Sequence, residues 1–410
     1  MNNGSKIKIG IGVTFALAIA GIVTARHFAE GSHAVADPSA DGIAAPKEGK
    51  VGTTGPTQVE ITMVYGSDKK EWVELAAGDF RKEHPEIKLT LLTRGSMESV
   101  QNILERRDRP TVFSPADSMA MTMLATDWKN KGNEPIVADS GEDAPRSLVM
   151  TPLVFVAWED RARALLKSND GEITWKSIHK ATMAPQGWTE SGGKAEWGFV
   201  KLGHTDPTKS NSGLQALALM AIEQTGKQSL DTSDTVDPKV QTFIRQVEKN
   251  VPSFEASTGT FMNEMVRFGP SKYDLAVVYE NVAIAQIETA QGRWGALRVY
   301  YPKTTMWSDH PAAVLQGDWV TPEQKAAAHV WLTYLHSRPV QEHALRFGFR
   351  PGDTSIPVRT ADPKNPFTRL GRHGVRIDVP HAARTPDPAT IRSLTTMWTR
   401  TCAPNHAAVR

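Results

Sequence analysis

A chain of 410 residues is longer than one hydrophobic core usually organises, so two compact units with a cleft between them are expected. Hydrophobic residues make up 40%, charged residues 22%, and the formal net charge is +2. That balance describes an ordinary soluble globular protein and excludes a field strong enough to hold nucleic acid.

Lys6 and Lys8 precede an apolar, small-residue run from Ile9 to Thr24, followed by polar residues and Ser32-His33-Ala34. Residues 1–34 therefore read as a secretory signal cleaved after Ala34, or as an uncleaved N-terminal membrane anchor, since the run is intermediate between the two lengths. Both readings put the rest of the chain in the periplasm or outside the cell, because the positive flank stays inside. The sole cysteine, Cys402, allows no intramolecular disulfide, and no cysteine closes the leader to carry a lipid. Residues 35–57 hold scarcely a large apolar side chain and read as a flexible linker.

From Val59 the residues alternate as a strand to Tyr65, with Gly66-Ser67-Asp68 interrupting it. A helix follows with Trp72, Leu75, Ala76 and Phe80 on one face, ending before Pro85. Next come a strand from Ile87 to Leu92, a helix carrying Met97, Val100, Ile103 and Leu104, and the short strand Thr111 to Phe113. The alternation continues through a strand from Leu148 to Trp158, a helix from Asp160, a strand near Trp197 to Leu202, a helix from Ser210 to Gln224 and a strand from Leu275 to Tyr279. Strands separated by helices imply crossover connections, hence an α/β class with largely parallel sheets covered on both faces.

In open parallel sheets a ligand sits beyond the carboxyl ends of the strands, where loops enter helix N-termini. The polar loops fall there. Ser67 follows the first strand, and Ser114 and Ser118 bracket the loop after the third. A dense loop from His204 to Gly213, with Thr208, Ser210, Asn211 and Ser212, precedes an apolar helix. Hydroxyls and free N–H groups at such a helix start suit an oxyanion, although Ser210 or Ser212 would also serve as an ordinary N-cap. Tyr279 and Glu280 end the last strand; a carboxylate there suits a ligand amine or a protonated anion and opposes a fully ionised one.

Signatures of catalysis are missing: there is no Gly-x-Ser-x-Gly elbow, no His-Glu-x-x-His, no phosphate-binding Gly-Lys-Ser/Thr loop and no dinucleotide glycine fingerprint. No cofactor, metal or catalytic residue is expected. His204 beside the Ser210 loop is the one local pair from which a hydrolase could be argued. Trp307, Trp319 and Trp331 read as packing rather than as a sugar platform.

The segments Phe113-Ser114-Pro115-Ala116, Leu202 to Gly213, Tyr273 to Glu280, Asp309-His310-Pro311, Gly317 to Pro322 and Gly348-Phe349-Arg350-Pro351 together resemble bacterial extracellular solute-binding proteins. The branch they resemble is molybdate- and sulfate-binder-like and is often found with von Willebrand A domains. The resemblance implies a two-lobed type II periplasmic-binding fold, with residues 58–152 plus 300–410 in one lobe and 153–299 in the other. It also implies that Ser67, Ser114, Ser118, Thr208, Ser210, Asn211, Ser212, Tyr279 and Glu280 face the cleft. The chain would capture a small ligand, an oxyanion favoured, as a monomer serving a membrane permease of the ABC type or a von Willebrand A domain protein. The alternative is a structural or signalling subunit that binds a partner protein through the same fold.

Overall fold

The structure, a computed structural model, describes residues 58–403 apart from Pro380. The expected signal or anchor (1–34) and the linker (35–57) lie outside the described residues. Among the described residues no helix is long and apolar enough to cross a membrane.

The strands are β1 (Val59–Gly66), β2 (Ile87–Arg94), β3 (Val112–Ser114), β4 (Arg146–Ser147), β5 (Val149–Trp158), β6 (Leu202–Gly203), β7 (Leu275–Tyr279), β8 (Leu297–Tyr300), β9 (Thr304–Thr305), β10 (Trp307–Ser308), β11 (Pro311–Val314), β12 (Arg350–Pro351) and β13 (His381–Ala382). They form one sheet in the order β2-β1-β3-β11-β4, a second in the order β10-β5-β7-β6 with β8 and β12 also on β5, and a two-stranded pair of β13 with β9. The first sheet centres one lobe and the second the other, with β10 and β12 of the returning chain added to the second where β5 begins.

In the first lobe, β1 pairs in parallel with β2 and β3, as crossover helices require. Its alternation places Ile61, Met63 and Tyr65 against one core and Val64 against the other. The helix Lys70–Glu83 covers the Ile61 face with Trp72, Val73, Ala76, Ala77 and Phe80. Leu75, expected on that face, is 47% exposed; the helix is rotated so that Val73 and Ala77 point inward in its place. Phe80 meets the Trp331 ring edge-on at 4.8 Å, and burying each such side chain contributes roughly 1.5–3 kcal/mol.

In the second lobe, β5 is buried along almost its whole length between β7 and β8. The helix Asn211–Thr225 packs on β7 and is buried on every face from Asn211 to Ile222, which explains its nearly uninterrupted apolar sequence. The strand expected near 197–202 is reduced to Leu202–Gly203, because Gly198 takes a left-handed φ of 66° that ends any extended run there. Trp197 instead lies in a 3-10 turn and packs under the Arg161 guanidinium, 3.6 Å from its ring centre.

Pairing is mixed rather than purely parallel. The parallel pairs are joined by β11, antiparallel to β3 and β4, and by β5, antiparallel to β7, β8, β10 and β12. The cause is the chain path: β4 and β5 leave the first sheet for the second, while β10 and β11 return beside them in the opposite sense.

Candidate functional site

A crevice of about 470 Å³ opens between the lobes. Ser67, Asp68, Thr93, Arg94 and Gly95 line one wall; Ser257, Gly259, Thr260, Asn263 and Asn281 line the other. Both walls are strand ends running into helix starts. β1 ends at Gly66 and turns through Ser67–Lys69, β2 ends at Arg94 before the helix Ser96–Leu104, and β7 ends at Tyr279 before the helix Glu280–Ile287. The lobes touch where Met97 and Glu98 donate their N–H groups to the Lys209 carbonyl at 3.1 and 3.2 Å. Gly95 permits that approach: a Cβ there would overlap the Lys209 carbonyl oxygen and lie 2.8 Å from that of Ala256.

Behind the crevice lies a buried polar network drawn from both lobes. The Lys69 ammonium donates to the Pro115 carbonyl at 3.0 Å and lies 3.4 Å from His310 Nδ1, which is 3.1 Å from Asp68 Oδ2. Burial alone would raise the Asp68 carboxyl, but Lys69 and His310 bring it down to about 2, so it is ionised. Burial pushes Lys69 down to about 8, against the attraction of Asp68 and Asp309. Burial, reinforced by Asp309, pushes Asp117 up to about 7. Asp117 caps the helix Ser118–Asn130 through Met119 N–H and accepts from Gln215 Nε2 at 2.6 Å and from the Asn211 amide. Asn211 Nδ2 also donates to the Tyr279 hydroxyl at 3.0 Å. His310 holds a left-handed φ of 39° directly before Pro311, a conformation that costs roughly 1–3 kcal/mol and fixes its ring in the network.

The structure brings some of the sequence-expected residues together and separates others. Asn211 and Tyr279 belong to the network, Ser67 lines the crevice, and Ser114 is buried at the end of β3 with its hydroxyl unpaired. Ser210 and Ser212 form a closed hydroxyl cluster: Ser212 Oγ is 2.8 Å from Thr205 Oγ1, 2.7 Å from Thr258 Oγ1 and 3.3 Å from Ser210 Oγ. Ser210 occupies the N-cap of its helix but makes no side-chain capping bond. Ser118 is exposed and bonds Asp309; Thr208 is exposed and bonds Asp206 at 2.6 Å. Glu280, expected to face a ligand, is instead consumed by a buried ion pair. Arg350 grips it with two bonds of 3.1 and 3.0 Å, and the Tyr301 hydroxyl donates to it as well. Among the tryptophans, Trp331 packs in the core and Trp319 meets Trp128; neither these nor Trp307 lines the crevice.

His204 is held away from Ser210. Its Nδ1 faces the Thr205 carbonyl and its Nε2 faces Glu248, both at 2.9 Å, so both ring nitrogens donate and the imidazole is doubly protonated. Burial works against that charge, but Glu248 outweighs it and the His204 pKa is raised. A pKa raised on folding contributes stability that is fully present below the unfolded value near 6.5 and is lost as pH rises through the folded value. Melting temperature is therefore expected to fall as pH rises above about 7, and His204→Gln should flatten that slope in a pH series of calorimetric melts. An unchanged slope would remove His204 as its source.

Lys69, Asp117, Gln215 and His310 are network members that no motif in the sequence marks individually. Gln215 did carry a signal, a lone amide between Leu214 and Ala216 on an apolar helix. Asp117 stands beside Ser118 in the polar loop after the third strand. His310 gave only its place before a proline.

The family description "Bacterial extracellular solute-binding protein" matches residues 61–350. No curated protein matches the chain. Among solved structures it is similar to the sulfate-binding protein SubI from Mycobacterium tuberculosis H37Rv, at 15% identity and TM-score 0.52 over 85% of this chain and 99% of that one. It is similar to the periplasmic binding protein AfuA from Actinobacillus pleuropneumoniae, with fructose-6-phosphate bound, at 13% identity and TM-score 0.57 over 84% and 99%. A periplasmic thiamin binding protein matches at 12% identity and TM-score 0.59 over 84% and 96%. Likeness at such identities concerns the fold.

Proposed function

Since the chain belongs to the family of bacterial extracellular solute-binding proteins and has their two-lobed type II fold, we propose that it captures a small polar solute between its lobes. The observation that carries this reading is the interlobe crevice, lined by polar groups from both sides, among them Ser67, Asp68, Ser257, Asn263 and Asn281, with Asn281 donating across it to the Asp68 carbonyl. We assign residues 58–152 with 300–410 to one lobe and 153–299 to the other, with β4–β5 and β10–β11 as the connections on which they move. The solute docks between Ser67 and Asp68 on one lobe and Asn211, Tyr279 and Asn281 on the other, and closure brings Gly95 onto the Lys209 carbonyl. The closed form is what a membrane permease of the ABC type would recognise, and the protein acts as a monomer outside the cytoplasm. The oxyanion favoured by the serine-rich loop has less support, because the Ser210 and Ser212 hydroxyls bond one another and Thr258.

The test is the melting temperature of the full chain against oxyanions, amino acids, amines, sugars and ferric iron. A ligand at a hundred times its dissociation constant adds about 2.7 kcal/mol, which raises the midpoint by several degrees. A shift confined to one chemical class is expected. No shift with any class would sink the solute-binding reading and favour the partner-binding subunit.

A further inference from the structure

The carboxyl of Asp117 stands where the two lobes meet. It belongs to the first lobe, at the start of the helix Ser118–Asn130, and accepts the Met119 N–H at 2.6 Å. Its cover comes from the second lobe. Gln215 Nε2 reaches across to it at 2.6 Å and to Ser308 Oγ at 3.0 Å, and Asn211 adds a bond from the same helix. Asp117 and both amides are buried. Opening the lobes would draw the helix Asn211–Thr225 away and admit water to the carboxyl.

The groups packed round Asp117 supply hydrogen bonds but no cation. Gln215, Asn211 and Ser308 are neutral, and Tyr279 keeps its hydroxyl proton because burial pushes its pKa up. Asp309, held by the Ser118 N–H, is a second carboxylate. Lys69 is committed to the Pro115 carbonyl and lies against His310, and among the described residues no bond joins it to Asp117. A covered carboxyl beside another, with no cation to answer it, favours its neutral form, whereas the same group in water ionises near 4. Burial, reinforced by Asp309, accordingly holds the covered Asp117 at about 7.

We propose that the lobes close on a protonated Asp117, so that acid favours the closed form and alkali the open one. This rests on the solute-binding reading, whose site it regulates.

A group that binds its proton more tightly in the closed form favours closure fully below its open-form value, and the effect is lost as pH rises through its closed-form value. Between pH 8 and pH 6 the closed-to-open ratio therefore rises about tenfold. The Lys69, Asp68 and His310 side chains bond within the first lobe and His204 within the second, so closing leaves their partners unchanged.

The experiment uses no solute. Dyes on Glu74→Cys and Arg267→Cys, exposed positions one turn beyond the two walls of the crevice, report lobe separation by single-molecule energy transfer in the full chain. Cys402 is buried and takes no dye. The ratio of high- to low-transfer molecules should rise about tenfold from pH 8 to pH 6 in the parent, and by less than about twofold in Asp117→Asn. If Asp117→Asn does not fold, Gln215→Leu decides: it should lower the ratio more at pH 8 than at pH 6, because the ionised carboxyl is the form that loses a donor. Equal lowering at the two pH values would overturn the proposal. So would one unchanging population in the parent, or a response that survives Asp117→Asn and so belongs to another group. A pH response that follows Asp117 while every solute in the panel fails to bind would keep the proton-linked closure and sink only the solute. Solute binding by lobes indifferent to pH would sink only the proton link.

Discussion

Arg350→Ala will lower the unfolding free energy by about 3–5 kcal/mol, a large share of what a folded protein has in hand. The guanidinium makes two bonds to Glu280, donates to the carbonyls of Ile377 and Arg376 at 2.7 and 2.9 Å, and lies 5.3 and 5.0 Å from the ring centres of Trp307 and Phe367. Glu280 is 0% exposed, so removing its partner leaves a charge in a low-dielectric interior with only the Tyr301 hydroxyl to answer it. Burial already raises the Glu280 pKa against the pull of Arg350 and Tyr301. Without Arg350 it rises further, and the folded state takes up a proton more readily than the unfolded one. The deficit of the variant is therefore largest at neutral pH and shrinks as pH falls toward the unfolded carboxyl value. Urea melts at pH 7 and pH 5 measure both points. The double variant Glu280→Gln with Arg350→Met should recover most of the loss, since it removes the charge with its partner. A melting midpoint for Arg350→Ala within a degree of the parent would show that the pair carries little stability.

Gly95→Val will reduce affinity for the bound solute about a hundredfold while leaving the melting temperature of the solute-free protein nearly unchanged. The residue has no positive φ, so its constraint is contact and not conformation. Any Cβ there runs into the backbone carbonyls of Lys209 and Ala256, which belong to the opposite wall and have no side-chain freedom with which to retreat. It would also part Met97 and Glu98 from the carbonyl they share. If the lobes separate in the absence of solute, the clash is felt only on closure and appears as lost affinity. Gly78→Ala, in a half-buried helix position with nothing within 4 Å of the new methyl, should be neutral or slightly stabilising and serves as the control. A variant that melts several degrees lower and binds as before would make Gly95 a site of permanent packing and remove the closure step from the proposal.

Much of the architecture was legible because it is local. The alternation of Val59 to Tyr65 and the apolar run Leu275 to Tyr279 are visible as strands, and both form with those bounds or one residue more. Placing polar loops at strand ends was equally local, and it led to Ser67, which lines the crevice, and to Asn211 and Tyr279, which bond each other in the buried network behind it. What the sequence withheld depends on distant partners. Glu280 looks like a free carboxylate until Arg350, seventy positions on, is folded over it. Ser210 and Ser212 look like ligand donors until Thr205 and Thr258 close around them. The same limit hid the inward turn of Gln215, whose partners Asp117 and Ser308 come from segments with no periodicity linking them.

The return path of the chain has a mechanical consequence. Arg146–Trp158 runs out beside Trp307–Val314 running back, tied by backbone bonds at Pro311, Ala312, Trp307 and Ser308. Such a ribbon, widened by β12 at Val149 and Met150, flexes more readily across its flat face than it shears in its own plane, because shear would break the rungs one after another. If the lobes move as proposed, that motion has a preferred axis, set by the ribbon and not by the solute. Substitutions that stiffen the ribbon, such as proline at a position outside the rungs, would slow capture and release together and leave the equilibrium between them almost untouched.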